Sequence, residues 1–247
     1  MSASKPAVVA VGEVAMLTFD QKPLYTRQEG ILDPKLLKGR RVSIIGNGSV
    51  GSFTALSLCK MGVKRAWFYD DDGVSPHNLP NQYFRKQDIG QFKVDALADI
   101  LSQFSDADVR PINKKYRSQE LKEVVIVATD SMSSRKLVWE QFKKQPQALV
   151  LIEARMGAEL GQVYMIQKQP FPWRVTPKDL KFYEERLYSD EEAKELPCTA
   201  RSIIYNVLMI SSLICRAYKG WLNKEKYPRE VTCNLTFVDE RSFMLRW

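Results

Sequence analysis

Histidine is nearly absent: His77 is the only one in the 247 residues. A Ser-His-Asp triad or a histidine-rich metal site is therefore not expected. Cysteine is scarce as well. Cys59, Cys198, Cys215 and Cys233 stand far apart with no CxxC pair, which argues against a structural zinc and fits a reduced, cytoplasmic setting. No apolar run is long enough to cross a bilayer. The longest, residues 203–215, carries Asn206 and two serines, so no membrane partner is expected. The apolar stretch after Lys5 is broken by Gly12 and Glu13, so no signal peptide is read there. No repeat and no low-complexity tract occurs.

What is present is a core and a positive balance. Hydrophobic residues make up 45% of the chain, enough for one sizeable α/β core. Lysine and arginine number 37 against 29 acidic residues, a net charge of +8, which favours an anionic partner: a nucleotide, an acidic protein or nucleic acid. The chain is organised around residues 41–93. The apolar run Val42, Ile44, Ile45 stops at Gly46, Gly48 and Gly51, a helical pattern follows from Ser52 to about Lys60, and a second strand, Ala66 to Tyr69, runs into Asp70-Asp71-Asp72. A strand, a glycine loop, a helix, a strand and then an acid spell a nucleotide site. Glycines let the backbone approach a phosphate, a helix N-terminus offers free amides, and Asp70 stands where it can accept from ribose hydroxyls. The polar loop that follows holds Asn78, Asn81, Gln82, Arg85 and Lys93. These groups hold phosphate and carry no redox role, so an NAD-dependent oxidoreductase is disfavoured.

Strand and helix patterns alternate along the rest of the chain. Helices are expected at Phe92 to Phe104 and Ser133 to Lys144, and strands at Asp108 to Ile112, Val124 to Ala128, Leu149 to Ile152 and, antiparallel, Gly161 to Ile166. The expected fold is α/β, a doubly wound Rossmann-like mixed sheet with an antiparallel end and a crossover segment. Four segments are expected: an N-terminal arm, 1–40, with a candidate strand at Val8 to Met16; a Rossmann-like core, 41–169; a charged crossover, 170–198, with a short helix near Lys178 to Leu187; and 199–247. That last segment completes the same domain with a long helix opened by Thr199 and strands at Leu235 to Val238 and Phe243 to Leu245 around Asp239-Glu240.

Ligands in open α/β sheets collect at the carboxyl edge of the strands. The glycine loop, Asp70, Asp72, Lys93 and Asp130 can converge there. Asp130 and Asp72 are hard oxygen ligands suited to a Mg2+ that bridges phosphates, and Lys93 is a cation for an α-phosphate. Adenylyl transfer needs positioning and charge neutralisation more than a proton shuttle, so the shortage of histidine does not count against it.

GNGSVG, Asp70-Asp-Asp72, Asn78-Leu-Pro-Asn81-Gln82, Gly90-Gln-Phe-Lys93 and Thr129-Asp130 occur in order. In this series the chain resembles the ThiF/MoeB/HesA family, which includes the adenylating domains of ubiquitin-activating enzymes. The resemblance covers roughly residues 24 to 166. It implies ATP and Mg2+ as cofactors, with Asp130 as the metal-binding acid. It also implies adenylation of the C-terminal carboxylate of a ubiquitin-like or sulfur-carrier protein with a Gly-Gly tail, with a conjugating enzyme as a further possible partner. Leu24-Tyr25-Thr26-Arg27-Gln28 resembles the family's upstream motif, whose second arginine reaches the triphosphate of the partner subunit, so Arg27 implies a homodimer. Two positions depart from the family: Asn81 replaces a phosphate-binding arginine, a contact Arg85 can supply, and Leu24 replaces the first upstream arginine. Slower or more selective adenylation is expected, not a dead site.

The stretch LPCTAR resembles the segment that carries the thioester cysteine in such enzymes. Cys198 falls in a charged segment ahead of the long helix, whose N-terminus would stabilise a thiolate. Cys59, Cys215 and Cys233 read as buried structural residues. Arg155 and Glu153 read as a packing or ion-pair feature, and Arg135 stays open between a ligand contact and packing. Two other functional readings stay open. One is a relative that dehydrates threonylcarbamoyladenosine in tRNA, which the positive charge suits although no basic cluster with interleaved aromatics stands out. The other is an inactive nucleotide-binding module. No C-terminal ubiquitin-fold domain is expected, since the chain closes after two short strands.

Overall fold

The computed structural model describes residues 24–192, 202–236 and 242–247. The strand expected at Val8 to Met16, Cys198, Thr199 and the turn at Asp239-Glu240 lie outside the described residues. The elements are β1 (Val42–Ile45), α1 (Ser49–Met61), β2 (Arg65–Tyr69), α2 (Lys93–Ser102), β3 (Asp108–Ile112), β4 (Val124–Val127), α3 (Met132–Lys144), β5 (Val150–Gly157), β6 (Leu160–Gln167), α4 (Pro177–Glu184), α5 (Ile204–Leu222), β7 (Glu230–Asn234) and β8 (Phe243–Arg246).

One sheet takes up all eight strands in the order β3-β2-β1-β4-β5-β6-β7-β8. The first five run parallel, with Val42 level with Ala66 and Val124. From β5 onward neighbours are antiparallel. Parallel strands are covered on both faces, which is why β4 reads as an unbroken Val/Ile run, β1 as one interrupted only by Ser43, and both are buried at every residue. On one face Val42, Ile44, Val124 and Ile126 pack with α1, α2 and α5 through Leu58, Leu97 and Ile210. On the other, Val125, Val127 and Leu151 pack with α3 and α4 through Trp139, Phe142 and Tyr183. Full burial of one such aliphatic side chain contributes about 1.5–3 kcal/mol. The Ser211 hydroxyl, on α5, donates to the Val50 carbonyl at 3.2 Å and so fastens α5 to α1. Among the described residues no helix is long and apolar enough to cross a membrane.

The expected fold class is the observed one. Three boundaries differ, the first being β5, which runs on to Gly157 rather than ending at Ile152. The long helix begins at Ile204 rather than Thr199. Ser202 is held in a bridge to Ala158 and accepts from the Asn81 side chain, so the backbone is still extended there and at the N-cap Ile203. Among the described residues the penultimate strand is Glu230–Asn234; Leu235 and Thr236 lie in a turn, and the rest of the span expected at Leu235 to Val238 is outside the described residues. Its alternation is hidden in the sequence because polar Glu230 and Thr232 are buried like Val231 and Cys233. Arg186 donates to Glu230 and Glu230 accepts from the Thr232 hydroxyl.

Candidate functional site

The order β3-β2-β1-β4-β5 reverses direction between β1 and β4, and the crevice beyond the carboxyl ends of those two strands is where an open α/β sheet binds its ligand. Gly46 turns the chain out of β1 at φ +87°, and a Cβ on it would lie 2.6 Å from the Ala128 carbonyl oxygen at the end of β4. A Cβ on Gly51 would lie 1.9 Å from the Gly46 carbonyl oxygen. These two glycines let the loop fold onto itself and onto β4. At Gly48, the N-cap of α1, a Cβ would meet only Gln82 Nε2 at 3.8 Å, so this face of the loop stays open to a ligand.

Asp70, Asp72 and Lys93 are drawn together at the rim. The Asp70 carboxylate accepts from the Asn47 backbone N–H at 2.6 Å and from the Asp72 N–H at 3.0 Å, which ties the acid after β2 to the glycine loop after β1. Burial pushes the Asp70 carboxyl above the usual carboxylate range, partly offset by those two amides and by Lys93. Lys93 opens α2 and is itself buried, with Nζ 2.7 Å from Asp72 Oδ2 and its N–H on the Asp72 carbonyl at 2.9 Å. Thr129 and the exposed Asp130 follow β4 on the other side of the loop.

The polar loop after β2 has a divided role. Asn78 is buried and accepts from the Ser75 N–H at 2.8 Å, and its carbonyl accepts from the Gln82 N–H at 2.9 Å, so it builds the turn that presents Gln82. Asn81 donates to Ser202. The Arg85 guanidinium is taken by Asp88 at 2.7 Å and Asp99 at 2.5 Å, and would have to exchange these partners to meet a phosphate. Arg27 does not join the crevice of its own chain. Its neighbour Gln28 donates to the Met61 carbonyl at the far end of α1, a helix of 13 residues, or about 20 Å, away from the glycine loop.

Arg135, Glu153 and Arg155 form a buried ion cluster below the rim. Arg135 reaches Glu153 at 3.1 Å, the Ala154 carbonyl at 2.9 Å and the Thr129 carbonyl, and so clamps the ends of β4 and β5 together. Arg155 also binds Glu153 and donates to the Arg186 carbonyl at 2.7 Å. Asp190 accepts from the N–H groups of Met132 and Ser133, filling the N-terminus of α3 with a carboxylate of the chain itself. Arg135 is thus a packing residue here, and Cys59, Cys215 and Cys233 are buried as expected.

Among the described residues, several buried polar atoms on the loops after β1, β2 and β4 have no hydrogen-bond partner: Asn47 Oδ1, Asn81 Oδ1, Gln82 Oε1 and Thr129 Oγ1. Such atoms are rare in folded proteins, and the loops that carry these four follow their strands at the carboxyl edge of the sheet. They can accept from ribose hydroxyls or from the water shell of a hard cation, so the donor set fits a nucleotide with a divalent metal. Asn47 was not singled out from sequence. Its place between the first two glycines was the available signal, because that position supplies the amide facing the acid after β2.

This geometry defines a doubly wound α/β protein with a nucleotide-type crevice. The chain belongs to the ThiF family, whose profile matches residues 27–243. Ubiquitin-like modifier-activating enzyme 5 of Drosophila virilis is 34% identical over 84 residues, 34% of this chain and 21% of that protein. Adenylyltransferase and sulfurtransferase uba4 of Neosartorya fischeri is 30% identical over 148 residues, 59% of this chain and 29% of that one. The chain thus covers less than a third of the length of either relative. Among solved structures, E. coli MccB with AMPCPP and MccA has a TM-score of 0.71 at 14% identity, covering 92% of this chain and 72% of that one. PaaA has a TM-score of 0.68 at 16% identity, covering 97% and 79%. At these identities the two structures speak for the fold.

Proposed function

We propose that this chain is an ATP-dependent adenylyltransferase acting on the C-terminal carboxylate of a ubiquitin-like or sulfur-carrier protein. The carrying observation is the linkage of the glycine loop to Asp70 through Asn47, beside the buried Lys93–Asp72 pair. Family membership and the two relatives named for activation and adenylyl transfer support it. The loop amides and the N-terminus of α1 would hold the phosphates, and Asp70 would accept from the ribose. Lys93 would neutralise charge that develops at the α-phosphate. Mg2+, held by Asp130, would offset the charge of the triphosphate. In the reaction a carboxylate oxygen bonds the α-phosphorus while the bond to the β-phosphate oxygen breaks and pyrophosphate leaves with the electron pair. No side-chain base is required.

Two finer steps belong to the same reading. Cys198, outside the described residues, would take the activated acyl group onto sulfur as AMP leaves. Arg27 would serve the triphosphate of a second copy in a homodimer. Carrier-dependent exchange of labelled pyrophosphate into ATP tests the main step, and its absence with Gly-Gly-ended carriers rejects it. A Cys198→Ala chain that keeps exchange but forms no thiol-sensitive conjugate supports the second step; an unchanged conjugate rejects it. One observation favours an alternative, nucleotide binding without turnover: Asn81 and Arg85 are both occupied within the protein. ATP binding without any exchange would select that alternative.

A further inference from the structure

A second concave site lies one residue outside the nucleotide crevice. The Asp70 N–H donates to the carbonyl of Ile112, the last residue of β3, so the carboxyl ends of β2 and β3 are stitched side by side. Directly beyond them a cavity of about 350 Å³ opens, lined by Asp71, Asn113, Lys114, Lys115, Arg117 and Gln119. Its wall is built on an anchor. Tyr116 is buried, packs edge-on to Tyr69 at 5.5 Å and donates from its hydroxyl to the Gln119 carbonyl at 2.8 Å. The Arg117 N–H closes the turn on Gln119 Oε1 at 2.7 Å. The cations therefore stand on a constrained hoop and not on a loose tail.

The charge of this cavity is not neutralised from within. Lys114, Lys115 and Arg117 are exposed, face one carboxylate, Asp71, and make no ion pair among the described residues, whereas neighbouring Arg110 and Lys122 are paired with Asp108 and Glu120. Nucleic acid is disfavoured as the occupant. Single strands bind where bases can stack on open aromatic faces along a basic track. Here Tyr116 is buried, the Trp67 ring is covered by Arg110 and Lys122, and the free cations end within four residues.

We propose that this cavity is a docking site for acidic side chains on the protein whose carboxylate enters the crevice, an inference that rests on the adenylation reading. A partner delivering its tail to Gly46–Gly51 approaches the same carboxyl edge of the sheet on which this cavity opens. Unpaired cations at the border of such a contact act by steering and selecting the partner.

Fluorescence anisotropy tests it with three labelled probes: a glutamate-rich peptide ending in Gly-Gly, its lysine-rich counterpart, and an oligo(U) of equal length. Against the full chain the acidic peptide should bind best, and its binding should weaken as salt rises from about 50 to about 200 mM. In the K114E/K115E/R117E chain its affinity should fall about tenfold or more. Affinity for a fluorescent ATP analogue should stay within about twofold, the ordinary outcome for exposed substitutions away from a site. The neutral K114Q/K115Q/R117Q chain, expected to show an intermediate loss, serves if the reversed one does not fold. Equal acidic-peptide affinity in wild type and variant overturns the proposal. So does a parallel loss of ATP affinity, which would make the cavity part of the nucleotide site. Selective loss of oligo(U) binding would reassign the surface to nucleic acid. Absence of ATP binding and exchange in the wild-type chain would instead sink the adenylation reading and leave the peptide comparison legible.

Discussion

The two ends of the sheet use charged residues in opposite ways. At the parallel end, Asp72 is two-thirds exposed while its partner Lys93 is buried, and Asp70 is held by backbone amides with the open face of Gly48 nearby. At the junction with the antiparallel end, Glu153 is 0% exposed and enclosed between Arg135 and Arg155. The first arrangement leaves ions half-solvated and able to change partners when a ligand arrives. The second closes its ion pairs on Glu153 Oε1 inside the protein, leaving only Glu153 Oε2 and Arg155 Nη2 without a hydrogen bond among the described residues, and serves as a frame. Burial and closure, more than residue type, separate reactive ions from structural ones.

The largest expected effect sharpens that contrast. Lys93→Ala should lower pyrophosphate exchange about a hundredfold or more, with little change in melting temperature, since the carboxylate it leaves behind is mostly in water. A melting temperature that collapses together with activity would place Lys93 in the frame.

Glu153→Gln should do the reverse. It leaves two buried guanidinium groups without their anion, a loss of about 3–5 kcal/mol in stability measured by denaturant unfolding. Chains that stay folded should still bind ATP. Loss of ATP binding in folded protein would erase the division between the two ends.

Two glycines give the next comparison. Gly46→Ala is strained at φ +87° and drives a Cβ to 2.6 Å from Ala128, and Gly161→Ala drives one to 2.5 Å from Ile210 on α5. Each should cost about 1–3 kcal/mol, but only Gly46→Ala should also abolish ATP binding. Equal nucleotide affinity in the two variants would mean that the loop does not carry the phosphates.

The smallest effect concerns pH. The Asp70 carboxyl is raised, so as pH falls it should lose its charge, and with it the ribose contact, earlier than an ordinary carboxylate near about 4. The acid limb of ATP binding should sit above that value and flatten in Asp70→Asn. The stability contribution runs the other way. The ionised form is disfavoured on folding, so stability falls as pH rises from the ordinary range through the raised one. An acid limb at the ordinary value would show that another group governs binding.

Much of the parallel end was legible in the residues. β3 matches its expected span, and β1, β2, β4 and α3 lie within about two residues of theirs, because two-sided burial writes Val/Ile runs and glycines punctuate them. The antiparallel end was harder to read. Glu230 and Thr232 look like surface residues until Arg186, 44 positions away, covers them. The start of α5 was misplaced because Ser202 is claimed by Asn81, 121 positions away. At the site, residue types announced the acids and the lysine, but not who holds them. That the Asn81 amide donates to Ser202, and that Arg85 is spent on Asp99 as well as on nearby Asp88, are facts of packing that residue types do not announce.

Arg27 sits at one tip of a rigid, buried rod whose other tip is the glycine loop. No rotation of a single side chain bridges that span. On the homodimer reading proposed above, this guanidinium would serve a neighbour's triphosphate, so specific activity should climb with protein concentration. A mixture of Arg27→Ala chains with Lys93→Ala chains should then outperform either alone, as two incomplete copies lend each other the missing half.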